Sequence, residues 1–220
     1  GWWGRYIVGR FSGENESQHL RFRRIVDIDT AAAQGFADEH GLELSADLES
    51  ALTDDDLDAV IIATPNSLHG AQIAAAAVAQ KHVFCEKPLD LSHAAAAASL
   101  AACNRAGVVL GIGHERRFEP AMVEIKHLLE AGELGTVMHL EASFNHDKLV
   151  DLSADNWRAS ATEAPAASLA ATGVHMTDAF LHFHGEIETV YALTGNWAAN
   201  FQSGDLLSVQ LRFKDGATGY

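Results

Sequence analysis

The sequence predicts two successive units: an α/β domain built on a parallel sheet over residues 1–117, then an α+β domain with a largely antiparallel, open sheet over residues 118–220. Three observations carry this reading. Short β-branched runs alternate with alanine-rich helical stretches across residues 23–112, the pattern of strand–helix–strand crossovers. After Arg117 the texture changes to period-two alternation, the mark of strands that pack on one face only. The length, 220 residues, allows two domains of ordinary size.

In the first domain the strands are expected at 23–27, 59–63, 82–85 and 108–112, each buried on both faces as parallel strands usually are. Helices are expected at 30–40, 67–79 and 92–105. Thr30 and Ser92 are the candidate N-caps, and Gly41 and Gly107 the C-terminal stops. The alanine runs at 74–77 and 94–98 are small residues that let a crossover helix approach its sheet closely.

In the second domain residues 119–131 have helical spacing, with Met122, Ile125, Leu128 and Leu129 on one face and Gly132 and Gly135 ending it. Met138, Leu140, Ala142 and Phe144 then alternate with polar residues, as do Leu207, Val209, Leu211 and Phe213. Asp215-Gly216 is a hairpin signal. The second face of such a sheet is either solvated or used for self-association. The chain begins Gly1-Trp2-Trp3-Gly4 without a methionine and stops just after the hairpin turn, so it reads as a fragment.

Composition narrows the partners. Fifteen basic against thirty acidic residues give a net charge of −15, which repels a phosphate backbone and argues against nucleic acid. No apolar run approaches the roughly 20 residues of a membrane span. Cys85 and Cys103 form no disulfide framework and no signal peptide opens the chain, which points to a reducing cytoplasm.

Several residue groups could carry chemistry. Gly1-Trp2-Trp3-Gly4 fits the tail of G-x-G-x-x-G, whose glycines let backbone amides approach a pyrophosphate at a helix N-terminus. Asp27 ends the next strand, 23 residues after Gly4, where a carboxylate accepts the adenosine ribose hydroxyls. Together these suggest a Rossmann-type dinucleotide-binding domain. Asp27-Ile28-Asp29 has no neighbouring arginine in the sequence, which favours NAD over NADP. The acidic pair could equally be a strand-end turn.

Thr64, Pro65, Asn66 and His69, and then Glu86 and Lys87, follow two of the expected strands, at the carboxyl ends where open α/β sheets bind ligands. A lysine partly desolvated beside a cationic nicotinamide has a lowered pKa and can exchange a proton, and Pro88 biases Lys87 to extended backbone. An exposed strand-end lysine is the alternative. Cys85 reads either as a buried structural cysteine or as a thiol activated by Lys87. His175, His182 and His184 lack a carboxylate or cysteine at a metal-site spacing, so no metal is expected.

Ala-Thr-Pro-Asn-Ser-Leu-His at 63–69, Glu-Lys-Pro at 86–88, Gly-His-Glu-Arg-Arg-Phe at 113–118, Asn-Trp-Arg at 156–158 and Gly-Val-His-Met-Thr-Asp at 173–178 occur in this order. In these five motifs the chain resembles the glucose-fructose oxidoreductase, inositol dehydrogenase and rhizopine catabolism (Gfo/Idh/MocA) family over essentially its whole length. The resemblance implies NAD-dependent hydride transfer to or from a hydroxyl of a sugar, polyol or inositol. Under it, Lys87 hydrogen-bonds the reacting hydroxyl, His175 exchanges the hydroxyl proton, and Arg117, Trp157 and Arg158 line or support the substrate pocket. Many active relatives carry an aspartate four residues before this histidine; here that place, in the segment 166–172, is Ala171. Two other readings stay open: a glycosidase- or epimerase-like enzyme that uses NAD as an internal redox relay, and a non-catalytic NAD-binding regulator. Asp178, three residues after His175, is either an intrahelical partner or part of the site.

Overall fold

The computed structural model describes every residue except 13–16, 148, 149, 154, 155, 166–168, 198–201 and 203. The chain divides into two compact units. The first comprises Gly1–Thr64 and Leu68–Ile112, and the second Pro65–Ser67 and Gly113–Tyr220.

The first unit opens with helix α1 (Trp2–Arg10), capped by Gly1. Strands β1 (Arg24–Val26) and β2 (Glu43–Ser45) pair in parallel around helix α2 (Thr30–His40), and a short helix α3 (Leu48–Leu52) follows. Strands β3 (Ala59–Ile62), β4 (His82–Cys85) and β5 (Leu110–Ile112) form a second parallel ladder in the order β3-β4-β5. Helices α4 (His69–Val78) and α5 (His93–Ala106) make the crossovers. All four expected strands and all three expected helices of this unit are present, with ends shifted by a few residues.

The local chemistry explains these boundaries. Ser92 caps α5 by accepting from the Ala95 amide, and Gly41 and Gly107 end α2 and α5 at φ of 62° and 71°, where a side chain would be strained. The cap of α2 is Asp29 and not Thr30. The Asp29 carboxylate accepts from the Ala32 amide at 3.0 Å, which places Thr30 inside the first turn.

The core of this unit gathers Ile62, Ile73, Ala76, Ala77, Val83, Cys85, Cys103 and Val108 between the ladder and the two alanine-rich helices. The expectation of strands buried on both faces is not met. In β4 Val83 and Cys85 are buried while His82 and Phe84 are exposed, because α4 and α5 cover the face that Val83 and Cys85 share.

The second unit is an α+β layer. Helix α6 (Pro120–Glu130) starts with proline at its first position. Its apolar face is only half covered: Met122, Leu128 and Leu129 are half-buried and Ile125 is exposed. Helix α7 (Gly173–Phe183) lies against a four-stranded mixed sheet of order β6-β9-β8-β7. The strands are β6 (His139–Leu140), β7 (Ile187–Gly195), β8 (Leu206–Phe213) and β9 (Thr218–Gly219). β7, β8 and β9 are antiparallel, and β9 pairs with β6 in parallel. The alternation at 207–213 is realised: Leu211 and Phe213 are buried with Phe180 and Ala217, and Val209 packs on them. The alternation at 138–144 is realised only at Leu140 and Ala142, because β9 offers a two-residue ladder. At that ladder a Cβ on Gly219 would come within 2.9 Å of the Leu140 carbonyl oxygen, so the close pairing requires glycine.

Two outcomes follow from the first core. Ile73 is fully buried whereas Val78 on the same helix is 84% exposed. In denaturant unfolding Ile73→Ala should lose about 2–5 kcal/mol, and Val78→Ala should stay within about 0.5 kcal/mol of the parent. Burial, reinforced by Glu86 and Asp90, pushes the Cys85 thiol up to about 12. Native Cys85, completely buried and held as a thiol, should therefore resist an alkylating reagent at pH 8 that labels it fully in denaturant, as read by peptide mass spectrometry. Equal labelling with and without denaturant would contradict this.

Candidate active site and dinucleotide site

In the first unit Gly1, Trp2 and Asp27, of the expected dinucleotide residues, come together. The N-terminus of α1 and the end of β1 border a concavity of about 480 Å³ lined by Gly1, Trp2, Arg5, Asp27, Asp29 and Ala32. The Gly1 nitrogen lies 3.1 Å from Asp27 Oδ2, and Asp27 Oδ1 accepts from the Asp29 amide at 3.1 Å. Burial alone would raise the Asp27 carboxyl, while the Asp29 amide and the Arg5 guanidinium draw it down toward the ionised form. A carboxylate kept ionised beside the amides of a helix N-terminus suits a dinucleotide: it accepts hydroxyls, and the amides face phosphate. Gly4 lies within α1 with no atom within 4 Å of a would-be Cβ, and Trp3 stacks on Tyr6 at 5.0 Å. These two residues therefore shape α1 without lining the concavity.

One expectation is corrected here. The sequence around Asp27 has no arginine, yet Arg5 reaches the same concavity from α1. Its guanidinium donates to the Ala32 carbonyl at 2.5 Å and lies 5.3 Å from the centre of the Phe36 ring. The i to i+1 view missed it because the two residues come from different elements. A 2′-phosphate at this place would meet two carboxylates and one cation, not carboxylates alone.

His69 is fully buried. Its Nδ1 lies 2.9 Å from the Pro88 carbonyl oxygen and its Nε2 3.1 Å from that of Thr64. The ring thus holds together the two segments that leave β3 and β4, and it acts on the site through their backbones. Thr64 Oγ1 donates to Gln72 at 2.7 Å, which ties the first of those segments to α4. Lys87 and Glu86 are half-buried at the end of β4, and the Lys87 amide donates to the Glu86 carboxylate at 3.3 Å. The Lys87–Pro88 peptide is cis. Cys85 is completely buried and donates to the Glu86 carbonyl, so it is the structural cysteine and not an activated thiol.

In the second unit Pro65 and Asn66 continue from β3. The buried Asn66 amide donates to the Glu163 carbonyl at 2.6 Å, and the Ser67 amide to the Glu163 carboxylate at 3.0 Å. His175 and Asp178 lie three residues apart on α7, both buried. Arg117, from the 3₁₀ turn Glu115–Phe118, donates to both oxygens of Asp178, at 2.7 and 2.5 Å. This bidentate pair holds the Arg117 guanidinium above its ordinary value and fixes the turn against α7. It also brings His114 Nδ1 to 3.8 Å from Asp178 and Glu115 Oε2 to 4.0 Å from His175 Nδ1. The His114 and His175 rings meet edge to face at 6.3 Å.

Trp157 and Arg158 form a separate stack in the second unit. The Arg158 guanidinium lies 4.1 Å from the Trp157 ring centre, and burial pulls it below its ordinary pKa. Asn156 caps this turn by accepting from the Arg158 amide at 3.0 Å. Of the segment 166–172, residues 166–168 lie outside the described residues. His184 bonds Asp215, and burial is the first cause that lowers His182, whose carbonyl accepts from Lys126. Glu163 has no motif around it in the sequence, and the motif at 113–118 contains Glu115 without marking it as a site residue.

Residues 4–114 match the family described as the oxidoreductase family with an NAD-binding Rossmann fold (GFO_IDH_MocA), and residues 122–220 match the GFO/IDH/MocA C-terminal domain. Among curated relatives, a D-xylose 1-dehydrogenase (NADP(+)) of Haloferax volcanii is 38% identical over 77% of this chain and 51% of its own. The scyllo-inositol 2-dehydrogenase (NAD(+)) of Bacillus subtilis is 39% identical over 53% of this chain and 34% of its own. Among solved structures, the WlbA dehydrogenase of Bordetella pertussis, in complex with NADH and UDP-GlcNAcA, superposes with a TM-score of 0.87 at 25% identity. That likeness covers 100% of this chain and 66% of that one. The chain thus spans roughly a third to two thirds of the length of these relatives. With both of its units matched in order, the chain belongs to the Gfo/Idh/MocA family of oxidoreductases.

Proposed function

We propose that the protein is an NAD-linked dehydrogenase acting on a CH–OH group of a sugar, polyol or inositol. The observation that carries this reading is the α1 concavity with its ionised Asp27, which fits the adenosine ribose and pyrophosphate of a dinucleotide. The names of the relatives support the substrate class. NAD, when bound, supplies the hydride acceptor.

This chain's residues supply the proton chemistry and the grip. Lys87 hydrogen-bonds the reacting hydroxyl. His175 takes the hydroxyl proton on oxidation and returns it on reduction, a task suited to an imidazole near neutrality. Arg117 supports the pocket wall indirectly, since its guanidinium donates to both Asp178 oxygens. Trp157 and Arg158 offer an aromatic face and a cation to a polyhydroxylated ring. Gly1, Trp2, Gly4 and Asp27 serve the dinucleotide directly or through α1. Thr64, Pro65, Asn66 and Glu86 shape the nicotinamide end, with His69 holding their backbones.

The protein is read as a homo-oligomer through the open sheet face, where Tyr191 and Leu193 are each more than half exposed. A cytoplasmic setting agrees with the two free cysteines, and no described helix is long and apolar enough to cross a membrane.

Titrating the full-length protein with NAD⁺ and NADP⁺ and following Trp2 fluorescence tests the dinucleotide site. NAD⁺ should bind saturably and more tightly than NADP⁺. Asp27→Asn should move the ratio toward NADP⁺, and Arg5→Ala away from it, each by about tenfold or ~1.4 kcal/mol. Absence of saturable binding by either dinucleotide would overturn the reading.

A further inference from the structure

His175 is the buried imidazole of the second unit, and proton exchange requires it to hold a defined tautomer and to carry charge transiently. A carboxylate on the far ring nitrogen meets both needs: it accepts that N–H and stabilises the imidazolium. Position 171, four residues earlier in the chain, is alanine. Among the described residues, two carboxylates of this unit stand near the histidine of α7. Asp178 is committed with both oxygens to Arg117. Glu115 is the other, with Oε2 4.0 Å from His175 Nδ1.

We propose that Glu115 is the positioning residue for His175: its carboxylate receives the Nδ1–H and assigns Nε2 to proton exchange with the substrate hydroxyl. The contact has built-in support. Glu115 opens the 3₁₀ turn whose third residue, Arg117, is clamped to Asp178, so the turn cannot drift from α7. The Glu115 side chain is 53% exposed whereas that of His175 is 8% exposed, so the carboxylate has room to close the remaining ångström or so to hydrogen-bond distance.

The other charged groups around the ring are already engaged. Arg117 pairs with Asp178, His114 lies beside Asp178, and Lys126 of α6 pairs with Glu130 and bonds the His182 carbonyl. On oxidation the hydroxyl proton goes to Nε2 and the hydride leaves the carbinol carbon for NAD, so the substrate loses two electrons and two hydrogens.

This inference rests on the reading of His175 as the proton-exchanging group, and the test separates the two. In the NAD-loaded full-length protein, the His175 imidazole is titrated by NMR in the parent, Glu115→Gln and Glu119→Gln forms. The acid limb of kcat/KM for oxidation is recorded for each. Glu115→Gln should weaken proton binding by His175 roughly 3–10-fold. It should shift the acid limb to lower pH by the same amount and reduce the plateau. Glu119→Gln, whose carboxylate pairs with Arg116, should change neither. Ala171→Asp added to Glu115→Gln should restore both readouts. An unchanged His175 titration in Glu115→Gln overturns the proposal, and so does a shifted titration with an unmoved acid limb. If His175→Ala retains full turnover, the reading of His175 itself fails, while the titration still decides the Glu115 contact.

Discussion

The bidentate pair between Arg117 and Asp178 organises the second unit. Asp178 is buried, and a buried carboxylate is tolerated only when its charge is met by a partner with matching geometry. The planar guanidinium of Arg117 provides that match with two parallel N–H bonds, which a lysine could not. Because Arg117 belongs to a tight turn and Asp178 to the middle of α7, one interaction fixes a loop to a helix. His114 and Glu115 are carried to the face of α7 that presents His175. On another side of α7, Phe180 packs edge to face against Phe213 of β8, so the same helix is anchored in the sheet core. The helix that carries His175 is therefore held between an ionic clamp and an apolar one.

The first unit solves a different problem. Ligand-facing segments leave the carboxyl ends of parallel strands, and such segments have few ladder partners of their own. His69 meets this by lying wholly buried between the Thr64 and Pro88 carbonyls, one on each segment. At the α1 side the constraint is electrostatic. Asp27 accepts from the Asp29 amide and lies near Arg5, and both favour its ionised form against the cost of burial. Arg5 shares that surface with the carboxylates of Asp27 and Asp29.

Much of this was legible in the sequence where a periodic or local rule operates. The strand at 82–85 and the helix at 30–40 were readable because a short apolar run and a glycine stop mark them. β7 was not, since Ile187, Tyr191 and Leu193 fall on one parity and Val190 and Ala192 on the other, which removes the period-two signal. β2 and α3, of three and five residues, are too short to show a period. In the candidate site, Asp27, Lys87 and His175 were visible through motif spacing. Arg5 beside Asp27, Asn66 on Glu163, and Glu115 beside His175 join residues from separate elements, and nothing local in the sequence records such meetings.

The central claim is that the protein moves a hydride between a carbinol carbon and NAD with Lys87 and His175 handling the hydroxyl. It is tested most directly by isotope transfer, using scyllo-inositol and D-xylose deuterated at the carbinol or anomeric carbon as first substrates, alongside a panel of labelled sugars and polyols. The account predicts that the reduced cofactor carries the deuterium from at least one of them. It also predicts that Lys87→Ala and His175→Ala, while still binding NAD⁺, transfer it about 10²–10⁴-fold more slowly. Saturable NAD⁺ binding with no label transferred from any member of the panel, or transfer that both variants leave untouched, would contradict it.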